Sequence, residues 1–449
     1  MRYIALRPEN LQSSQSPHYN HSMRLRVCLV VVVLAISVHA QPASKSTPKE
    51  APTSVTVPIA LDQGRIVIDV DLQLPDGKTE RVRAWVDNGT PDVCMTRRVA
   101  TLMGLVVSCD TQFCSATPRA IDTPPEITIG TLKIPLLQPE KPSDKTTRPI
   151  AVPPGAALAP GMSAEINIPS SVLRLYDVFI DFPERQLTIA LPGHLKFNGV
   201  KSKMVLNPNN GLIQIPGKLE NKNYDFALDL GSSINFLSKE LFDKFANVHP
   251  DAPHLTGAVG PFNTGDPGDP KLKLLRLDRL QFGPLFLTDV AVADLPRSQT
   301  TFAGERASSS RPGGLSSEAL MNYRVGLDYA HSTVYFDIGR TVRVPDFDVV
   351  GLILHPEGDN GFTVAGVADF DGNPAVAGID PGDRLIAVDG TPVAEFTLGE
   401  TWSLLQGSPG QECKLTLERA SKQFTVAAKV QHFLGVAAND EGNRKSKKN

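Results

Sequence analysis

Turn density, strand-like alternation and an internal repeat point to a mainly β chain with two pseudo-symmetric lobes and a smaller third domain. Gly 35 and Pro 37 among 449 residues suit many short strands joined by turns better than a helical bundle. Ile66, Ile68, Val70 and Leu72 alternate with mostly polar neighbours, and Val82, Ala84 and Val86 do so again, the pattern of strands with one buried face. The repeat is the third signal. Val86-Asp87-Asn88-Gly89-Thr90 is answered by Leu228-Asp229-Leu230-Gly231-Ser232, and Tyr176-x-Val178-x-Ile180-Asp181-Phe182 by Tyr323-x-Val325-x-Leu327-Asp328-Tyr329. Between them, Ile127-x-Ile129-Gly130-x-Leu132-x-Ile134 is answered by Leu280-x-Phe282-Gly283-x-Leu285-x-Leu287. Three matches in one order, each about 150 positions apart, set the lobes at 57–195 and 205–342.

The bulk properties narrow the function. Lys and Arg number 45 against 48 Asp and Glu, a formal charge of -3 with no dominant run of either sign, which argues against a nucleic-acid partner. Charged residues at 21% and hydrophobic residues at 41% are those of a globular chain.

In chain order, the apolar run Val27 to Val38 follows Arg24 and Arg26, is too short to span a bilayer, and ends in Val38-His39-Ala40. Residues 1–40 therefore read as a signal peptide with an upstream extension before Met23, and residues 41–56 as a flexible leader. Export to the periplasm or beyond follows, with no stable membrane span after cleavage. The first lobe opens on a hairpin turning at Pro75-Asp76-Gly77-Lys78. Each Asp-x-Gly turn is followed by an apolar run and a short helix, Arg97 to Met103 and Lys239 to Phe245. Ser298 to Gly314 reads as a surface loop. Residues 343–432 return to short strands around a helix at Thr397 to Leu405, an independent third domain, and 433–449 form a polar, disordered tail.

Four cysteines remain beyond the signal. Cys109 and Cys114, spaced C-x4-C in an exported chain, are a candidate disulfide, bonded or not, and no second Cys or His pair stands at zinc-site spacing. Cys94 and Cys413 read as small core residues, and His249 and His254, with Pro250 and Pro253 between them, as loop residues.

The chemistry rests on Asp87 and Asp229. An Asp-Gly after a strand usually marks a turn, as at Asp389-Gly390, but these two occupy equivalent places in related lobes. If the lobes pack about a twofold axis, the carboxylates meet. Two carboxylates in contact share one proton, which makes one an acid and the other a base, and no cofactor or metal is needed to activate a water. Gly89 and Gly231 allow backbone N–H groups to face the carboxylates, and Thr90 and Ser232 place hydroxyls within reach of their outer oxygens.

The paired Asp-x-Gly-Thr/Ser turns, with their apolar runs and short helices, resemble retropepsin-type aspartic proteases with two fused lobes, the single-chain pepsin-like arrangement. The resemblance implies an acid-protease fold of two β-barrel lobes, Asp87 and Asp229 as the catalytic dyad, and flaps near Cys109 to Ala116 and Thr256 to Thr264. Where that family has Thr or Ser directly after each Asp, this chain has Asn88 and Leu230. Where it has apolar-apolar-Gly beneath the turns, this chain has Asn167-Ile168-Pro169 and Gly314-Leu315-Ser316.

Gly378 to Val393, with Gly382-Asp383 and Asp389-Gly390-Thr391-Pro392, resembles the core of a bacterial PDZ domain. That resemblance implies capture of protein C-termini or extended peptides by a loop near Val350, Gly351, Leu352 and Ile353, with Thr401, Leu404 and Leu405 facing the peptide. The other reading of this domain is that it packs on the lobes and binds nothing free. Two functions follow: an exported aspartic endopeptidase acting on peptides or unfolded proteins that the PDZ domain recruits, or a catalytically degenerate scaffold that holds peptides in the cleft and the PDZ groove.

Overall fold

The computed structural model describes residues 52–110, 114–118, 125–136, 150–206, 212–295, 312–340, 347–358, 361–370 and 372–435. The expected signal peptide, the leader to residue 51, residues 298–311 of the expected loop and 436–449 of the expected tail lie outside the described residues. Among the described residues no helix is long and apolar enough to cross a membrane.

The first lobe is built from β1 (Ser54–Pro58), β2 (Ala60–Asp62), β3 (Arg65–Gln73), β4 (Thr79–Asp87), β5 (Val106–Cys109) and β6 (Cys114–Thr117). It continues with β7 (Glu126–Ile129), β8 (Leu132–Pro135), β9 (Ile150–Val152), β10 (Ile166–Pro169), β11 (Asp177–Asp181) and β12 (Gln186–Ala190), with helices α1 (Arg97–Leu102) and α2 (Ser170–Leu173). The alternation in β3 and β4 buries Ile66, Ile68, Val70, Leu72, Val82, Ala84 and Val86. Their hairpin turns as expected, with the Lys78 N–H donating to Asp76 Oδ1 at 3.0 Å.

The second lobe comprises β13 (Val200–Lys203), β14 (Val205–Leu206), β15 (Ile213–Leu219), β16 (Lys222–Asp229), β17 (Phe236–Ser238) and β18 (His254–Thr256). After these come β19 (Lys273–Phe282), β20 (Leu285–Leu295), β21 (Gly313–Ser316), β22 (Tyr323–Asp328) and β23 (Thr333–Ile338), with helix α3 (Lys239–Val248). Its topology repeats the first. Antiparallel β3–β4 corresponds to β15–β16, and β10 lies parallel to β4 as β21 does to β16. Pro169 is opposite Asp87 in one lobe and Ser316 opposite Asp229 in the other, so Asn167-Ile168-Pro169 and Gly314-Leu315-Ser316 do run beside the acidic strand ends.

One six-stranded sheet, ordered β1-β12-β11-β22-β23-β13, ties the lobes together. Its centre is the antiparallel pair β11–β22 with Phe179 opposite Gly326, so the pseudo-twofold axis passes between repeated elements. Side chains from both lobes, from Ile66 and Val178 to Leu327 and Phe336, form a single buried cluster. β1 begins inside the expected leader because Val55 and Val57 extend this sheet against β12.

The third domain contains β24 (Asp348–Val349), β25 (Leu352–Pro356), β26 (Phe362–Val367), β27 (Asp369–Phe370), β28 (Asn373–Pro374) and β29 (Arg384–Val388). β30 (Thr391–Pro392), helix α4 (Leu398–Leu404), β31 (Glu412–Arg419), β32 (Lys422–Lys429) and β33 (Gln431–His432) complete it. α4 starts at a capping box, with Thr397 and Glu400 satisfying each other's backbone N–H groups. The domain is not independent of the lobes. Leu255, Ala258, Val259, Phe262, Leu272 and Leu274 of lobe two share its buried cluster, and Thr256 bridges to Asp369. The expected tail also begins too early, because Phe433 and Leu434 are buried in that cluster and the Phe433 N–H donates to Phe347 O at 2.9 Å.

Candidate active site

β4 and β16 end at the two aspartates, and the turns that follow fold the backbone back onto them. The Gly89 N–H donates to Asp87 Oδ1 at 2.9 Å; the Gly231 and Ser232 N–H groups donate to Asp229 Oδ1 at 3.1 and 3.0 Å. The turns interlock across the axis: a Cβ on Gly89 would overlap the Asp229 carboxyl, and one on Gly231 the Asp87 carboxyl. Only glycine fits either place, and the two carboxyls lie close enough for the charge of Asp229 to act on Asp87. Asp87 is 5% exposed, and burial followed by the charge of Asp229 raises its pKa to about 8, opposed by the Gly89 N–H, Arg65 and the Thr90 N–H.

The turns are braced from one side only. Asn88 Nδ2 donates to Leu228 O at 2.8 Å and Asn88 Oδ1 accepts the Leu230 N–H at 2.7 Å, so one amide makes both cross-lobe bonds. Leu230, which has no polar atom beyond its backbone, is buried at 1% exposure and packs in the shared core. Trp85 adds a third tie, its Nε1–H donating to Gly231 O at 3.1 Å. Of the two expected hydroxyls, that of Ser232 donates to Ile234 O and accepts the Ile234 N–H, both at 3.1 Å, which closes its own turn. Ser232 serves Asp229 through its backbone. Thr90 O accepts from Ser170 N and Oγ, both at 2.9 Å, which anchors the first turn to α2.

Four neighbours escaped the sequence reading. Arg65, first residue of β3, is 8% exposed and stacks over Trp85 at 5.7 Å. Burial pulls its pKa down, while Asp62, Asp87, Asp269 and Asp229 hold it up. The turn before it, Gln63 at φ 54° and Gly64 at φ 80°, has the left-handed pair of a tight hairpin. Gln63 Nε2 donates to Asn263 O and its Oε1 accepts from Arg65 Nη1 at 3.2 Å, while Asp62 Oδ1 accepts from Thr397 Oγ1 at 3.1 Å. An Arg at the head of an apolar run is the available signal, but of its acidic partners only Asp62 is near in sequence.

Cys109 and Cys114 are joined, S–S 2.06 Å, across β5 and β6; residues 111–113 of the expected first flap lie outside the described residues. Thr256 to Thr264 is no open flap, since Ala258, Val259 and Phe262 are fully buried against the third domain. Val350, Leu352, Ile353, Thr401 and Leu405 are buried, and Leu404 is partly so. A Cβ on Gly351 would lie 2.6 Å from Ala375 Cβ, so that loop is closely covered. A depression of about 560 Å³ on lobe two, lined by Lys201, Lys218, Tyr224 and Gln281, shares no residue with the aspartate pair.

Fold and site together define a two-lobed β protein with two interlocked acidic turns and an appended smaller β domain. Residues 372–419 match the PDZ domain family. Over 66 residues in that region the chain is 46% identical to a protein of Neisseria meningitidis serogroup A named as a zinc metalloprotease. The stretch is 14% of this chain and 14% of that relative's length, so its named activity stays with that protein. Among solved structures, the aspartic proteinase from Irpex lacteus is similar at 11% identity and TM-score 0.38, over 64% of this chain and 98% of that one.

Proposed function

We propose that the protein is an exported aspartic-type endopeptidase whose PDZ domain engages peptide or unfolded protein segments. The observation that carries the reading is the interlocked pair of turns, each glycine lying against the other lobe's carboxyl. Asp87, the more deeply buried acid, keeps the shared proton, and Asp229, half-buried, is the base. Asp229 takes a proton from a water between the carboxyls while Asp87 donates to the carbonyl oxygen of the scissile peptide. The tetrahedral diol then collapses as a proton passes to the leaving nitrogen.

Hydrolysis of unfolded casein between pH 4 and 8, with and without pepstatin, tests the reading. Wild-type cleavage that falls by about 10²–10⁴-fold in Asp87→Ala plus Asp229→Ala supports it. Equal behaviour of the two proteins excludes it and leaves the alternative that Leu230 favours, a lobe pair that holds peptides without cutting them.

A further inference from the structure

One edge of the expected peptide groove of the PDZ domain is covered by a piece of this chain. β25 pairs with β26 on one side only, so its other edge is where an added strand would lie. On that edge Asn263 Nδ2 donates to Leu354 O at 2.9 Å and Asn263 Oδ1 accepts the Leu354 N–H at 2.8 Å. One side-chain amide thus makes the give-and-take pair of bonds that a neighbouring strand residue makes. Phe262, fully buried, sits 5.4 Å from the Phe347 ring in the cluster that contains Val350, Leu352, Leu354 and Leu405. Gly260, at φ 60°, backs onto Trp402 of α4, where a Cβ would come 2.7 Å from the indole. The segment therefore touches both walls of the groove.

Trp402 Nε1, beside Gly260, and Thr401 Oγ1, both on α4, are buried without a hydrogen-bond partner among the described residues. Asn263 is itself preset from lobe two, its Nδ2 also donating to Asp269 Oδ2 at 2.9 Å.

We propose that residues 259–263 are an internal ligand of the PDZ groove, and that an extended peptide presenting a large aromatic side chain followed by an amide side chain exchanges for it. This deepens the peptide-binding part of the reading above and does not depend on hydrolysis. A tethered occupant competes at an effective concentration near millimolar, so a free peptide of equal intrinsic strength is suppressed until the tethered one is weakened.

The probe is an acetylated, amidated, fluorescein-labelled peptide of residues 257–266, Gly-Ala-Val-Gly-Pro-Phe-Asn-Thr-Gly-Asp, titrated by anisotropy into the full chain. Phe262→Ala and Gly260→Ala each loosen the internal segment, the second by steric overlap with Trp402, and both are expected to bind the peptide at least about tenfold tighter than wild type. A peptide with Ala in place of its Phe is expected to bind none of the three. Amide exchange at Leu354 is expected to be fast in the variants and slowed again by the peptide. If Phe262→Ala does not fold, Gly260→Ala carries the comparison. Equal affinity for wild type and folded variants, or no saturable binding to any of them, overturns the proposal. Casein cleavage enters no readout, so failure of the endopeptidase reading and failure of this one are told apart.

Discussion

Asn88 stands where a hydroxyl pair would brace the turns, and its one amide makes two of the cross-lobe bonds. Replacing it with Ala leaves Leu228 O and Leu230 N–H buried without their cross-lobe partner, which costs about 2–4 kcal/mol. The urea midpoint should fall accordingly with an unchanged slope. An unaltered midpoint would mean that the two turns hold each other without it. Asp87 gives a signed pH dependence. Its folded pKa is raised, so the proton contributes stability that is fully present below the unfolded value near 3.9 and is lost as pH rises through about 8. Asp87→Asn should therefore gain Tm over wild type as pH climbs from 4 to 8, and a constant Tm difference across that range would contradict the raised pKa. Arg65 favours the ionised form of Asp87. Arg65→Met should move the alkaline limb of kcat/KM to higher pH, whereas a limb that stays in place means the guanidinium does not act on the pair.

The strand ends and turns decide whether those residues meet. Gly231→Ala puts a methyl group into the Asp87 carboxyl, and a displacement of about 1 Å is expected to cost about 100-fold in kcat with far less change in KM. Steady-state kinetics checks that split. This part of the molecule was legible beforehand. Alternation fixed β3 and β4, and the repeated Asp-x-Gly singled out two turns from the ordinary one at Asp389. The tripeptides Asn167-Ile168-Pro169 and Gly314-Leu315-Ser316 pair beside the two aspartate-bearing strands in β10 and β21. What was hidden is non-local. β1 earns its place only by pairing with β12, far along the chain, and Gln63-Gly64-Arg65 looks like any hairpin until Asn263 and Trp85 close around it. The Ser232 hydroxyl bonds Ile234 within its own turn, a local choice that residue spacing does not reveal.

Taken together, the three domains share more surface than composition suggested. Ala258, Val259 and Phe262 read locally as part of a loop over a cleft, and only the folded third domain shows what buries them. A chain ending at Arg340 would expose these side chains with Leu255, Leu272 and Leu274, an apolar patch that a soluble surface seldom carries. It should bind an apolar dye and melt well below the full chain; a truncated protein that melts at the same temperature without dye binding would show the lobes to be self-sufficient. The six-stranded interlobe sheet, by contrast, should keep its pairing in either protein, since none of its strands comes from the third domain.

Sharing of one proton by two acids is read most directly from carboxyl NMR of protein labelled with ¹³C at the Asp side chains. The Asp87 carboxyl should titrate far above the ordinary range in wild type and move downward in Asp229→Asn, where the neighbouring charge is gone. Two independent titrations near 3.9, unchanged by that substitution, would contradict it.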